Sequence, residues 1–256
     1  MMTSALLPGP PGRPLAVAHR GASVDAPENT MAAFRAAWSG GASWLETDTQ
    51  PTVDGVPVLI HDDLVDRTTT GTGAVRELRA LDLAALDAGS WFSPEFSAEK
   101  VPELSQLLAE LPADGRVFLE VKGPHTPDQV LAVLQVCRAS AADDRVLLQS
   151  FERDVLAEIG RISPGRPVGL LTTAWDDDPI AACRALGAIS YNPHHALLAR
   201  QSDPVGAVAD LHAASIAVSV WTADDPTDWG LLTGIGVDAI MTNTPAALVN
   251  WLQTQG

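Results

Sequence analysis

Short apolar runs alternate along this chain with longer windows in which Ala, Leu and Val recur three or four residues apart. The runs at 116–121 (RVFLEV), 145–149 (RVLLQ), 167–171 (PVGLL), 187–191 (GAISY), 216–221 (IAVSVW) and 237–241 (VDAIM) have the length and residue types of strands. Between them PDQVLAVLQVCRASA, FERDVLAEIGRI, DDPIAACRALG, PVGAVADLHAAS and DDPTDWGLLTGI carry helical spacing. The same beat opens the chain: a strand at 14–18, a helix in TMAAFRAAWSGG capped by Asn29 or Thr30 and stopped by Gly40-Gly41, and a strand at 43–49. That makes eight strands separated by helices. Eight such units predict an α/β protein of the (β/α)8 TIM-barrel type, with an open doubly wound sheet as the rival.

Two stretches break the beat. Asp48 and Val56 are too close for a crossover helix, and Asp54-Gly55 is a tight-turn pair, so residues 56–61 are predicted to return antiparallel beside the second strand. Residues 62–102 hold polar turns, a helical piece around 82–86 and the Trp91-Phe92 pair, with no sustained period. This reads as a small subdomain inserted after the second barrel strand. Pro102–Leu111 resumes as helix. The domain therefore spans 14–256, with 62–102 inserted and residues 1–13, rich in Pro and Gly, as a flexible leader.

Several strands end in polar groups, and in a barrel those ends share one rim, where active sites form. On the period of two, Glu46 and Asp48 point to one side of their strand, as do Glu120 and Lys122 within FLEVK. Three carboxylates gathered there suit one hard divalent cation, Mg2+ or Ca2+, better than Zn2+, since no thiolate is nearby. His19 ends the first strand and His61 the antiparallel return, which makes them candidates for giving and taking a proton. Arg20 offers a fork for two phosphate oxygens and Lys122 a point charge.

Composition narrows the partners. With 32 acidic against 16 basic residues and a formal charge of −16, the surface repels nucleic acid and anionic membranes, while a local Arg/Lys pair leaves small phosphates open. No apolar stretch is long enough for stable membrane insertion. The N-terminus lacks a secretory pattern, and Cys137 and Cys183 read as buried free thiols, so the expected location is cytoplasmic.

Read in order, HRG, PENT, E-x-D, DGVPVLIHD, DRTTTGTG, LDAGSWF, VPEL, LEVK, QSF, VWT and VDAIMTN resemble the glycerophosphodiester phosphodiesterases, of the phospholipase C-like phosphodiesterase barrel superfamily, over about residues 15–250. The resemblance implies a barrel with an insertion after its second strand, and metal-dependent hydrolysis of a glycerophosphodiester to glycerol 3-phosphate and an alcohol. It also implies His19 and His61 as the catalytic pair, Glu46, Asp48 and Glu120 as metal ligands, and Arg20 and Lys122 on the phosphate. Glu28 and Asn29 would brace the surroundings of the first histidine, and Phe151 and Trp221 would line the substrate pocket. Thr47, Asp238-Ala239, Lys100 and Asn243 depart from the family's usual residues, which bears on pocket shape more than on the reaction. The rival readings are a phospholipase D-type enzyme acting on lysophospholipid or sphingolipid, a non-catalytic phosphate-binding barrel, and a sugar-phosphate lyase or isomerase. The head group, the choice of metal and the oligomeric state are not legible.

Overall fold

A computed structural model of the chain describes residues 13–255. Of the expected leader, all but Arg13 lies outside the described residues. Strand β1 (Leu15–His19) leads into helix α1 (Met31–Ser39), whose first turn is capped by the Thr30 side chain accepting from the Ala33 N–H. With Thr30 in that role, Asn29 is free for another. Strand β2 (Trp44–Pro51) turns at Asp54-Gly55 into the antiparallel β3 (Pro57–Leu59). After the irregular segment with α2 (Ala80–Ala85) come α3 (Leu104–Glu110), β4 (Arg116–Val121), α4 (Pro127–Ala139), β5 (Val146–Ser150), α5 (Arg153–Ile162), β6 (Val168–Thr172) and α6 (Pro179–Leu186). The chain closes through β7 (Ala188–Pro193), α7 (His195–Ala199), α8 (Pro204–Ala213), β8 (Ala217–Val220), α9 (Pro226–Ile235), β9 (Ala239–Thr242) and α10 (Pro245–Thr254).

The sheet runs β1-β9-β8-β7-β6-β5-β4-β2-β3, and β1 also pairs with β2, which closes eight parallel strands into a barrel with β3 as an outlying antiparallel strand. The open-sheet alternative is thereby excluded. Inside, Trp44 and Phe118 lie with ring centroids 4.9 Å apart and pack with Val17, Leu147, Ala239 and Met241 to fill the barrel below its rim. A larger apolar layer, including Leu45, Leu119, Leu148 and Tyr191, joins the strands to the surrounding helices. Alternation along β2 and β4 is thus realised: Trp44 and Phe118 face inward, while Leu45 and Leu119 face the helices.

Differences from the pattern reading are local. The strand expected from Arg145 starts at Val146, because Asp143–Arg145 forms a 3-10 turn, and that expected from Gly187 starts at Ala188, because Gly187 (φ +66) caps α6 in the left-handed region. Helix α7 is five residues long, too short to display a period.

Residues 62–102 hold two further 3-10 turns (Val75–Glu77 and Pro94–Phe96) and pack Val65, Val75, Leu83, Ala88 and Val101 against Val58 and Ile60. A side chain at Gly89 would collide with the Phe96 carbonyl oxygen at 1.9 Å, so the two ends of this aromatic loop meet only through glycine.

Candidate active site

Strand register brings the rim residues together before any side-chain detail is considered. The β1–β2 ladder sets His19 beside Glu46, β2–β4 sets Asp48 beside Glu120, and β4–β5 sets Glu120 beside Gln149. Glu46, Asp48 and Glu120 are all buried, and each offers an oxygen within 4.8 Å of the others. The loop after β1 is tightly turned to support them. Arg20 (φ +57) and Asn29 (φ +56) both occupy the left-handed region, and Asn29 N–H donates to the Arg20 carbonyl at 3.0 Å. Gly21 (φ +82) lies so close to α1 that a Cβ would meet the Ala33 backbone at 2.6 Å. This explains the glycine of HRG.

Charge at the triad is out of balance. Burial, followed by repulsion from Asp48 and Glu120, raises the Glu46 carboxyl well above the usual range, and burial with repulsion from Asp48 pushes Glu120 up to about 8. Burial works the same way on Asp48, but Arg20 and Lys122 outweigh it and hold that carboxyl well below its ordinary value. Arg20 Nε stands 3.3 Å from Asp48 Oδ2; Lys122 Nζ is 3.3 Å from Asp48 Oδ1 and 3.0 Å from Glu120 Oε1. Asn29 occupies the remaining side, donating from Nδ2 to Asp48 Oδ2 at 2.9 Å while accepting from Thr47 Oγ1 at 2.6 Å. Two buried carboxylates that take up protons for want of positive charge, with oxygen donors only, fit a hard divalent cation.

The histidines differ in their support. His19 Nδ1 is 2.7 Å from Asn243 Oδ1, and its Nε2 is 3.9 Å from Glu46 Oε2. Burial and then the Arg20 charge lower its pKa to about 4, leaving the ring neutral near pH 7. His61 arrives by the return predicted from Asp54-Gly55, with Ile60 N–H donating to the Asp48 carbonyl at 3.0 Å. Its Nδ1 is 2.6 Å from Asp62 Oδ1. Hydrogen bonding from Arg67 holds the Asp62 carboxyl well below the usual range, so an ionised partner sits behind the ring. Arg67 also grips Glu28 through Nη1 and Nη2, each at 2.8 Å, and Glu28 accepts from Arg20 Nη1 at 2.9 Å. The PENT loop thus braces Arg20 and Asp48 rather than touching His19.

A cavity of about 220 Å3 opens among His19, Arg20, Glu46, His61, Glu120, Lys122, Gln149, Phe151, Leu171, Trp221 and Met241. Asp48 lies buried behind Arg20 and Lys122. Phe151 and Trp221 meet edge to face at 5.4 Å and form the aromatic wall. Residues 62–102 contribute nothing to this lining, and Trp91, Phe92 and Phe96 pack on one another instead. The insertion reaches the site indirectly, through Arg67 and through Arg76 Nη2, which donates to the Lys122 carbonyl at 2.9 Å.

Comparison with known proteins agrees with this arrangement. The profile described as the Glycerophosphoryl diester phosphodiesterase family matches residues 19–247. The chain belongs to that family. A glycerophosphodiester phosphodiesterase of Caldanaerobacter subterraneus subsp. tengcongensis is 31% identical over 245 residues, covering 94% of this chain and 99% of its own. Among solved structures, an Oleispira antarctica phosphodiesterase in complex with the product sn-glycerol-3-phosphate superposes with a TM-score of 0.86 at 28% identity, covering 94% of this chain and 97% of the other. A Silicibacter pomeroyi structure, called a putative glycerophosphoryl diester phosphodiesterase, has a TM-score of 0.88 at 26% identity, covering 99% and 98%.

This chain is therefore an enzyme of the glycerophosphodiester phosphodiesterase class. Among the phosphodiesterase's supporting residues, sequence reasoning assigned no role to Asp62 and Arg67, whereas Gln149 and Asn192 belong to the polar strand ends it placed on the rim. Gln149 Nε2 approaches Glu46 Oε1 at 3.4 Å and Asn192 Nδ2 donates to Gln149 Oε1 at 2.8 Å. Both end apolar runs, and that was the available signal. Among the described residues no helix is long and apolar enough to cross a membrane.

Proposed function

We propose that the enzyme hydrolyses a glycerophosphodiester to sn-glycerol 3-phosphate and an alcohol, with His19 as base and His61 as acid. The observation that carries this is that both imidazoles line one small cavity together with Arg20, Lys122 and two of the three clustered carboxylates. Product in the related Oleispira enzyme supports the glycerol phosphate half. In this reading Arg20 and Lys122 contact the non-bridging phosphate oxygens, and Phe151 and Trp221 hold the organic part. Glu46, Asp48 and Glu120 would hold one divalent cation, Mg2+ or Ca2+, which when bound supplies positive charge to the phosphate.

His19 is neutral, so its Nε2 is available to take the proton of the glycerol 2-hydroxyl as that oxygen attacks phosphorus. His61, with Asp62 behind Nδ1, presents Nε2 with a proton for the departing alkoxide. The P–O bond to the alcohol breaks as the ring P–O bond forms, and water then opens the cyclic phosphodiester with the two histidines exchanging roles. Two free buried thiols, Cys137 and Cys183, suit a reducing, cytoplasmic setting.

The test is a panel of glycerophosphodiesters and lysophospholipids assayed with Mg2+, Ca2+ or chelator. Metal-dependent release of glycerol 3-phosphate supports the reading; glycerol 3-phosphate binding with no turnover of any diester overturns it in favour of a binding barrel. Glu46→Gln should weaken divalent-ion binding in calorimetric titration by at least about tenfold, on the scale expected for loss of a metal-site group.

A further inference from the structure

His19 faces the cavity with one ring nitrogen and Asn243 with the other, so the identity of the Asn243 atom decides where the imidazole proton sits. An amide can present either oxygen or nitrogen, and the choice falls to whatever lies on its far side. Here that is Asp224, in the exposed loop after β8. Asp224 Oδ2 accepts from Asn243 Nδ2 at 2.7 Å, and Oδ1 accepts from the Asn243 backbone N–H and the Thr242 hydroxyl, each at 2.7 Å. A carboxylate has no proton to donate, so the Asn243 NH2 group must turn toward it and the Asn243 oxygen toward His19. Ser23 Oγ lies 2.9 Å from the same oxygen and 3.0 Å from the His19 carbonyl; its single proton serves either, so it does not decide the amide.

We propose that Asp224 is a positioning residue: through the Asn243 amide it fixes His19 as the Nδ1–H tautomer, with a bare Nε2 facing the cavity. The inference rests on the reading of His19 as the base, because only an unprotonated Nε2 can take a proton from the attacking hydroxyl. Asp224 itself touches neither the cavity nor the triad. Its effect travels through two hydrogen bonds, and the direction of both is dictated by the acceptor-only end.

The experiment uses Asp224→Asn, which keeps the shape and reverses one bond. The new amide at position 224 has one oxygen, which the immovable backbone N–H of Asn243 claims, so its NH2 group confronts the Asn243 side chain. Asn243 must then present oxygen to it and NH2 to His19, which moves the imidazole proton to Nε2. Imidazole nitrogen-15 shifts at pH 7, assigned with His19→Gln, should change from the Nδ1–H to the Nε2–H pattern. On a glycerophosphodiester kcat should fall by about 10²- to 10⁴-fold, the range for a misdirected histidine base, with KM little changed. The exchanged pair Asp224→Asn/Asn243→Asp restores every donor–acceptor match, with only the side-chain bond between positions 224 and 243 reversed and an acceptor again facing His19 Nδ1; it should recover the Nδ1–H pattern and most of the lost kcat.

Retention of the Nδ1–H pattern in Asp224→Asn overturns the proposal. So does an exchanged pair that is folded by circular dichroism yet stays Nε2–H. Because the nitrogen shifts are read on unliganded protein, a parent enzyme that failed to turn over any glycerophosphodiester would defeat the functional reading and still leave the tautomer decided.

Discussion

At the scale of single residues, the two histidines are made unequal by the atoms behind them. His19 is backed by an amide oxygen, and burial followed by the Arg20 charge outweighs that hydrogen bond and lowers its pKa to about 4; His61 is backed by a carboxylate held by Arg67. His61→Ala should therefore lose about 10²- to 10⁴-fold on a choline or ethanolamine diester, whose alkoxide leaves badly without a proton. It should lose much less on a nitrophenyl diester that keeps the glycerol hydroxyl. His19→Ala should lose activity on both substrates, since the attacking hydroxyl still requires a base. Equal losses for His61→Ala on the two substrates would remove it from the acid role. The depressed His19 pKa also sets a sign: the base is unprotonated above about 4, so the acid limb of the kcat/KM profile should lie below the free-imidazole value of about 6.5. A limb at or above that value would contradict the assignment.

At the scale of elements, the inserted segment 62–102 acts through arginines rather than through its aromatic residues. Arg67 ties Glu28 of the β1–α1 loop to Asp62 next to His61, and both carboxyls lie below their ordinary range. For Asp62 the largest cause is the Arg67 hydrogen bond; for Glu28 burial opposes the change and is outweighed by Arg67 and Arg20. A depressed carboxyl contributes stability that is complete above its unfolded pKa and disappears as pH falls through the folded one. Arg67→Met should thus lower stability by about 1 kcal/mol at neutral pH, a modest figure because Arg67 is half exposed. The gap between parent and variant should close as the pH drops below about 4, in paired thermal melts. A gap that widened on acidification would mean the clamp is not the source. Within the insertion Phe92 packs between Trp91 and Phe96 at 5.7 and 5.6 Å, and none of the three lines the cavity. Phe96→Ala should therefore reduce stability and leave the ratio of rates on choline and ethanolamine diesters unchanged; a shifted ratio would bring the insertion back to the alcohol.

For the whole molecule, the barrel separates a packed lower interior from a polar rim only one strand alternation away. Trp44 and Glu46 are two residues apart on β2, as are Phe118 and Glu120 on β4, so the apolar plug is the floor beneath the carboxylates. Phe118→Ala should cost about 3–5 kcal/mol in denaturant unfolding through the cavity it leaves. Loosening of the floor should weaken divalent-ion binding as well, whereas Leu134→Ala on the helix side of the strands should cost stability without that second effect. Equal ion affinity in the two variants would separate the floor from the site.

Much of this was readable from local chemistry. Period-two alternation in LETD and LEVK decided which side chains share a face, Asp54-Gly55 decided that His61 comes back toward β2, and the strand–helix beat decided the barrel. These depend on neighbours within a few residues, where sterics and turn preferences act directly. Only the tertiary structure decided which strands meet and in what register, and hence that Asp48 faces Glu120 and His19 faces Glu46. Asn243 was visible as a departure, yet its partnership with His19 spans 224 residues and appears only once β9 closes against β1. The same holds for Arg67, which reads as an ordinary loop cation until the insertion folds back on the PENT loop. Contacts of that range arise when the barrel closes or the insertion docks, and no local pattern encodes them.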